Sequence, residues 1–349
     1  MMGRILPNCR RAIQVVRRAQ RSLERFRGRI VSPRIEPAVR YISEPLEPRV
    51  LLSTVTWVGA AGGGDGSSWS DANNWERDVG GSPVMQAPQA GDDVVIPDVT
   101  GTSSVLFNSS ASSVMLNSLV SAEAFQISGN TLTLDGAGSF EFNAGLTISG
   151  GALTANSDVT ADALTMSGGT LAGDGEIEVT STLSWSGGTM GGDGTTRFSG
   201  GSGSISGLSL FLGRRFDNAG HITFSVTELS FNVSGTTSGV INNESGATFD
   251  VTGEGAFRSD DAAGTYAFNN FGEFIRSGVG TTTKFNSTGA GSVPFNNQAD
   301  GMGIDKVHVQ SGTLELLGGG CTAAAYSRLT LMRRCRSPAV RTCSRIPHP

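Results

Sequence analysis

An internal repeat constrains the fold of this chain more than any other feature of its sequence. Three segments align at offsets of 18 and 19 residues: LTISGGALTAN from Leu146, LTMSGGTLAGDG from Leu164 and LSWSGGTMGGDG from Leu183. Alternation of apolar and polar residues places the apolar members on one face of short strands, and the Gly-Gly pairs turn the chain. The repeat therefore predicts stacked coils with two apolar columns: Ile148, Met166 and Trp185, followed by Leu153, Leu171 and Met190.

A second repeat has a period of 27 residues. INN begins at Ile241, FNN at Phe268 and FNN again at Phe295, and FDNAG at Phe216 lies 25 residues earlier as a degenerate copy. If each period is one coil, the second asparagines lie one above another and form a ladder of side-chain amides. The alternative is a run of unrelated turns that contain Asn, which the equal spacing disfavours. The predicted ladder consists of Asn243, Asn270 and Asn297.

The distribution of glycine supports an all-β fold. Apart from Gly3 and Gly28, every glycine lies within residues 50–320, where Val, Ile, Leu, Phe and Thr alternate with polar residues. Glycine disfavours helix interiors and supplies the left-handed conformation of tight turns. We expect a right-handed parallel β-helix, or a related β-solenoid, preceded by a disordered or partly helical basic leader. Two β-sandwich domains are the alternative, but sandwiches seldom repeat in sequence at this period.

Charge divides the 349-residue chain into three regions. Residues 1–49 hold twelve Arg and four Glu, a net charge of +8, and residues 321–349 hold six Arg and no acid. Because the whole chain has a net charge of −5, the body between them carries −19. The predicted domains are an Arg-rich leader and Pro-rich linker at 1–45, a short motif at 46–53, a Trp-rich N-terminal cap at 54–100, solenoid repeats at 101–320 and an atypical Arg/Cys tail at 321–349.

Two structures fit the basic leader. Ile13, Val16, Leu23 and Phe26 recur among arginines at rough helical spacing, as in an amphipathic helix that lies on an anionic membrane surface. The other interpretation, which we favour, is a disordered leader. Its longest uncharged run, AIQVV, is shorter than a signal-peptide core or a membrane span. The arginines lack the interleaved aromatic residues of many nucleic-acid-binding surfaces, so we predict no nucleic-acid partner.

A short motif lies where the basic leader gives way to the acidic body. The segment LEPRVLL, with Val50 at its variable position, follows the Arg-rich leader and precedes a Gly/Thr/Ser-rich body. It resembles the LEPR-XLL motif of large exported or surface proteins of planctomycete bacteria, in which the motif is thought to act as a sorting or processing signal. A linker with this sequence by chance is the alternative. The resemblance covers Leu46, Glu47, Pro48, Arg49, Leu51 and Leu52.

Three tryptophans, Trp57, Trp69 and Trp75, lie within nineteen positions at the start of the body. Their segment, with WSDANNW followed by GDDVVI, resembles the opening of many exported bacterial β-helical repeat proteins of the autotransporter or adhesin type. Exposed tryptophans can stack on sugar rings, which is one interpretation. We favour the other, in which these residues plug the open end of the β stack and cover its core and strand edges.

No motif in the chain selects a catalytic site. Nucleotide-binding loops, a nucleophile elbow and zinc motifs are absent, and the four cysteines lie outside the body. The adjacent acids Asp92-Asp93 and Asp260-Asp261 should point to opposite faces of a strand, so neither pair converges on a substrate. We predict no cofactor. Calcium is the alternative at three Asp-Gly pairs, which are more typical of tight turns: Asp65, Asp174 and Asp193.

The tail at 321–349 departs from the body in composition. Arg and Cys become frequent, Gly and the acids disappear, and strand alternation stops. We expect that a frameshift or truncation of the coding sequence produced it, and that the natural solenoid continues. A basic anchoring tail and a redox-active Cys cluster are the alternatives.

Together these features predict a non-catalytic, exported cell-surface protein with a structural or adhesive role. Its expected partners are cell-envelope or extracellular polysaccharide, other surface proteins, and the export machinery through the leader. The alternative is a polysaccharide-active β-helix enzyme, a lyase or a hydrolase. Such an enzyme needs clustered acids and a basic residue, and the only candidate bases near acids are Arg214, Arg215 and Arg258.

Overall fold

The computed structural model describes residues 54–79, 81–231, 233, 238–259, 261, 264–288, 291–298 and 306–319. The basic leader, all six matched residues of the LEPRVLL motif, and the tail at 321–349 lie outside the described residues. Within the described part no helix is long and apolar enough to cross a membrane.

Strands make up nearly all of the secondary structure, and two short 3-10 helices, η1 (Gly59–Gly62) and η2 (Ala72–Asn74), follow the first strand. The strands, in chain order, are β1 (Thr54–Trp57), β2 (Trp75–Val79), β3 (Ser82–Met85), β4 (Asp93–Ile96), β5 (Val105–Phe107), β6 (Val114–Leu116), β7 (Ser118–Ser121), β8 (Phe125–Leu134), β9 (Phe140–Phe142), β10 (Leu146–Ala155), β11 (Val159–Ala172), β12 (Glu176–Met190), β13 (Thr195–Phe198), β14 (Ser202–Leu212), β15 (Arg215–Asn218), β16 (His221–Ser230), β17 (Ser238–Asn243), β18 (Thr248–Val251), β19 (Gly255–Arg258), β20 (Thr265–Asn270), β21 (Glu273–Arg276), β22 (Thr282–Phe285), β23 (Ser287–Thr288), β24 (Gly291–Ser292), β25 (Phe295–Asn297), β26 (Val307–Val309) and β27 (Thr313–Leu316).

The strands form a parallel β-solenoid with three ladders, which we call the first, second and third sheets. The first sheet runs through β1, β4, β7, β9, the starts of β11 and β12, then β13, β15, β17, β20 and β25. The second runs from β5 through the first part of β8 to β18, β21 and β26. The third runs from β6 through the end of β8 to β19, β22 and β27. The parallel β-solenoid predicted from the repeats is therefore confirmed, while its right-handed sense stays a prediction.

The register of the strands agrees with the sequence repeats. Ile148 pairs with Met166, and Met166 pairs with Trp185, at the offsets of 18 and 19 residues. Leu153, Leu171 and Met190 pair in the same order in the third sheet. All six side chains are buried, because alternation along each strand turns every second residue toward the interior. Long strands such as β11 bend at Gly-Gly and contribute to all three sheets.

The core is one continuous cluster of apolar side chains that extends from Val55 to Leu314. In the later coils it is rich in phenylalanine: Phe257 stacks on Phe285 with ring centroids 4.3 Å apart, and Phe268 stacks on Phe295 at 5.4 Å. Stacked aromatic rings in successive coils bury large apolar areas with defined geometry. The apolar residue before each Asn pair, Ile241, Phe268 or Phe295, thus belongs to the core, in agreement with the 27-residue repeat.

An aromatic cluster lies inside the first coil. Trp57, Trp69 and Trp75 are at most 2% exposed, and both Trp57 and Trp69 contact Trp75 edge-on with ring centroids 4.8 Å apart. Trp69 also contacts Phe107 and Phe125 of the following coils. Strand β1 pairs with β4 in the parallel ladder, and its other edge pairs with the antiparallel strand β2, which in turn pairs with β3. The tryptophans therefore fill the core at the start of the solenoid and present no face to a sugar.

Candidate functional site

The outward face of the first sheet carries a row of polar side chains, one from each successive coil. Strand register places them next to one another, about 4.8 Å apart as in any sheet. Alternation along each strand turns them away from the core, because the residues on either side of them face inward. Asp217 is nevertheless only 3% exposed. We call these residues the polar row: Glu141, Thr160, Glu178, Arg197, Asp217, Asn242, Asn269 and Asn296.

The last part of the polar row is an outer amide ladder. The Asn242 side-chain NH2 donates to Asp217 Oδ1 at 2.7 Å, Asn269 donates to Asn242 at 2.8 Å, and Asn296 donates to Asn269 at 2.9 Å. Sequence reasoning singled out only the second asparagine of each INN or FNN segment and missed this ladder. The signal was present, since the first asparagine recurs at the same period of 27 residues and alternation must place it on the other face.

The predicted ladder forms an inner column directly behind the outer one. Asn243 Nδ2 donates to Asn270 Oδ1, and Asn270 Nδ2 donates to Asn297 Oδ1, each at 2.8 Å. Asn218, from the degenerate copy, donates to Asn243 at 2.8 Å and extends the ladder by one coil. The second N–H of each amide donates to a backbone carbonyl of the next coil, at Thr248, Glu273 and Lys306. These buried amides are thus satisfied within the stack, and they present no group to a ligand.

A charged patch lies next to the ladders on the same sheet. Arg197 binds Glu244 with both guanidinium nitrogens, at 2.6 and 3.0 Å, across the strand β15 that separates them. Arg215 binds Asp217 in the same bidentate manner, at 2.7 and 2.6 Å. The hydrogen bonds that Arg197 donates to Glu244 raise the pKa of Arg197, and those that Arg215 donates to Asp217 raise the pKa of Arg215. Both guanidinium forks are therefore occupied by carboxylates of the chain itself.

Two other arginines are buried and bind backbone carbonyls. Arg214, a basic candidate for the enzyme alternative, donates to Gly175 O at 2.9 Å and Thr195 O at 3.0 Å, in preceding coils. Burial lowers the pKa of Arg214 to about 10, against the attraction of Asp174. Arg276 binds the carbonyls of Val251 and Gly278 and is fully buried. These guanidinium groups fasten coils together inside the solenoid, away from its outward faces. Sequence reasoning missed this role because arginine is seldom fully buried.

Three of the acidic candidates, Asp65, Asp92 and Asp93, are engaged in a turn, an ion pair and side-chain hydrogen bonds. Asp65 accepts hydrogen bonds from the Ser67 and Ser68 amides and from Asn74, as a tight turn requires. Asp92 pairs with Arg77, whereas Asp93 accepts from Asn117 and Ser118, so the two adjacent carboxylates serve different partners as expected. Arg258 pairs with Glu228 at 3.3 Å. In the described part of the chain, no three His, Cys, Asp or Glu side chains are grouped to hold a metal ion. Asp260 lies outside the described residues.

The geometry thus separates two kinds of surface on the first sheet. In the charged patch the arginines are bound by carboxylates, whereas the outer amide ladder exposes neutral amide edges.

Comparison of the chain with protein-family models, with curated proteins and with solved structures gives no significant match.

Proposed function

We propose that the chain is a non-catalytic, exported cell-surface protein whose solenoid has a structural or adhesive role. The observation that carries this proposal is the bonding of the outward side chains of the first sheet to one another from coil to coil. Arg197 reaches Glu244, and Asn269 bonds both Asn242 and Asn296, so polar side chains on this face reinforce the stack. A continuous, regularly spaced surface suits binding along a length of partner.

The proposal of export rests on the resemblance of LEPRVLL to a sorting motif. It is tested by adding proteinase K to intact cells that produce the chain and following the solenoid by immunoblot. We expect digestion of the solenoid while a cytoplasmic control protein stays intact. Digestion only after the cells have been lysed would contradict the surface location.

The motif itself offers a matched pair of variants. Leu51→Asp changes a position that the resemblance fixes, whereas Val50→Asp adds the same charge at the variable position. If the segment is a sorting signal, the first variant should accumulate inside the cell and the second should reach the surface. Equal surface amounts of both variants would show that the segment is a simple linker.

Cleavage of an acidic polysaccharide is a second candidate function, favoured by one observation. Carboxylates and two arginines lie on one face across consecutive coils, from Glu178 through Arg197 to Asp217. The test is incubation of the full chain with polygalacturonate or alginate, with detection of new reducing ends and of unsaturated products. The structural proposal expects no product from the full chain. If the native chain forms such products and Arg197→Ala does not, the chain is an enzyme and the structural proposal is wrong.

A further inference from the structure

We propose that the outer amide ladder, together with the apolar row beside it, binds a neutral, linear polysaccharide that lies along the solenoid axis. The proposal rests on the adhesive role proposed above and names its ligand class and its site. The site, which we call the glycan strip, consists of two parallel lines of residues on β17, on β20 and on β25 with the residue before it: Asn242, Asn269 and Asn296 in one line, and Val240, Ala267 and Pro294 in the other.

The amides of the strip retain hydrogen-bonding capacity after the ladder is formed. Asn242 and Asn269 each donate one N–H and accept one hydrogen bond within the ladder. A side-chain amide has two N–H donors and an oxygen with two lone pairs. Each of these two residues therefore keeps a second donor and a second acceptor site, which is the pairing that a sugar hydroxyl, itself a donor and an acceptor, can satisfy.

The ladder also fixes these amides before any ligand arrives. Asn269 is held from both sides, by Asn242 and by Asn296, and Asn242 is held by Asp217. Ordering a free side chain on binding costs conformational entropy, and that cost is reduced where the rotamer is already fixed. Rigid groups repeated at the strand spacing suit a ligand that is itself repetitive, and less so a single small molecule.

The second line of the strip is apolar, and its three residues, Val240, Ala267 and Pro294, are half-buried. On the other side, Phe271 follows β20 and is 39% exposed. Sugar rings combine apolar C–H faces with polar edges, so they match a surface on which an apolar line runs beside a line of amides. Aromatic rings contribute to such contacts through their faces.

Charge argues for a neutral ligand. The six residues of the glycan strip are uncharged, although the body that contains them carries −19. Arg215, in register with Val240, is bound by Asp217, and Glu244 borders the strip on its other side. Lys306 donates to the carbonyl of Phe271. An acidic polysaccharide would have to compete with these partners for a cation, whereas a neutral chain of hydroxyls needs none.

The test measures binding of the full chain to cellohexaose, laminarihexaose and maltohexaose by isothermal titration calorimetry, with polygalacturonate as the acidic counterpart. Two variants change the strip: Ala267→Glu adds a charge without touching the ladder, and Asn269→Asp removes the donors at its centre. Thr165→Glu is the matched control, because Thr165 is exposed on β11 in the second sheet. Circular dichroism and Tm verify that each variant folds.

We expect at least one neutral hexasaccharide to bind more tightly than polygalacturonate. Both strip variants should weaken that binding by about tenfold, roughly the effect of losing a hydrogen bond and adding an unpaired charge, and Thr165→Glu should leave it unchanged. If Asn269→Asp fails to fold, the binding measured for Ala267→Glu alone tests the proposed site.

Three results would overturn the inference: no binding of any neutral hexasaccharide, equal weakening by Ala267→Glu and Thr165→Glu, or self-association of the chain that Ala267→Glu abolishes without sugar. None of these bears on surface location, which the protease experiment on intact cells decides separately.

Discussion

Asn269 and Asn270 are neighbours in the chain, yet their amides act on opposite sides of the first sheet. Asn269 bonds along the exterior, while Asn270 is fully buried and bonds Asn243, Asn297 and the carbonyl of Lys306. Asparagine therefore has a different energetic role on each side of this sheet. The outer amide can exchange its partners for water, and the inner one cannot.

This difference predicts unequal costs for the same substitution. Asn270→Ala leaves buried donors and acceptors without partners in two adjacent coils, so we expect it to lower the free energy of unfolding by about 2–4 kcal/mol. Asn269→Ala should cost less than about 1 kcal/mol, because water replaces the lost bonds. Urea denaturation followed by circular dichroism measures both. Equal costs would mean that the inner ladder contributes nothing beyond the outer one.

Asp65 predicts a dependence of stability on pH. Hydrogen bonds from the Ser68 hydroxyl, the Ser68 amide and Asn74 hold the pKa of Asp65 well below its ordinary value. A carboxylate with a lowered pKa in the fold stabilises it above the pKa of the unfolded chain, and this stabilisation is lost as the pH falls from about 4. The difference in Tm between the native chain and Asp65→Ala should therefore be largest near neutral pH and shrink below about pH 4.

The exposed Asp162 on β11 gives the control for this titration. Asp162→Ala should change Tm little at neutral and at low pH, because the Asp162 side chain, unlike that of Asp65, makes no hydrogen bond within the described part of the chain. A Tm difference for Asp65→Ala that stays constant down to pH 2 would contradict the turn's dependence on the ionised carboxylate.

At the scale of elements, the Gly-Gly turns between the second and third sheets stack on one another. Gly151, Gly169 and Gly188 have φ between 63° and 85°, and Asn130 occupies the same place in the preceding coil at 54°. Only glycine adopts this region freely, and asparagine is among the residues that tolerate it best. The stack leaves no room for a side chain, since a Cβ on Gly169 would lie 2.7 Å from the Gly151 carbonyl oxygen.

Gly169→Ala should therefore destabilise the fold by about 2–4 kcal/mol, because alanine would have to adopt the left-handed backbone conformation and its Cβ would clash with the preceding coil at Gly151. Gly201→Ala is the matched control: its φ is not positive, and a Cβ there meets no atom within 4 Å. Thermal unfolding of both variants measures the difference. A neutral Gly169→Ala would mean that the turns can move apart.

The elements also show how far the sequence alone can predict this fold. The 18- and 19-residue repeats predicted the register at Met166 because coils of equal length repeat both their turns and their apolar columns. The bridge from Arg197 to Glu244 was not predictable, because it joins residues 47 positions apart in coils of different length, with no repeat to relate them. The hydrogen bonds from Arg214 to backbone carbonyls could not be predicted either, because no sequence pattern indicates that an arginine side chain faces the interior. The outer amide ladder was predictable from its period.

At the scale of the whole solenoid, each coil contacts the coils before and after it. Trp185 is buried in the second sheet between Met166 and Ile205. Stability in such stacks is approximately a sum over neighbouring repeats. A local defect should therefore lower the stability of a few neighbouring coils and not of the entire solenoid.

Trp185→Ala tests this expectation. The cavity should lower the free energy of unfolding of the surrounding coils by about 3–5 kcal/mol. Hydrogen exchange followed by mass spectrometry should show faster exchange in β11, β12 and β14, with protection in β21 and β22 unchanged. Uniform loss of protection from β4 to β22 would show that the solenoid unfolds as one cooperative unit.

The two amide ladders run in opposite directions. Inner donors point toward later coils, from Asn218 to Asn243 and onward, whereas outer donors point toward earlier coils and end on Asp217. Because a carboxylate can only accept, Asp217 fixes the orientation of every outer amide, and the aligned bonds polarise one another toward it. A tandem duplication of the 27-residue unit after Asp217 would lengthen both ladders without reversing an amide. A unit inserted directly before Asp217 would lie between Arg197, which can only donate, and Asp217, which can only accept, so its outer amide would point the opposite way. The outer ladder can therefore be extended in one orientation on one side of Asp217 only.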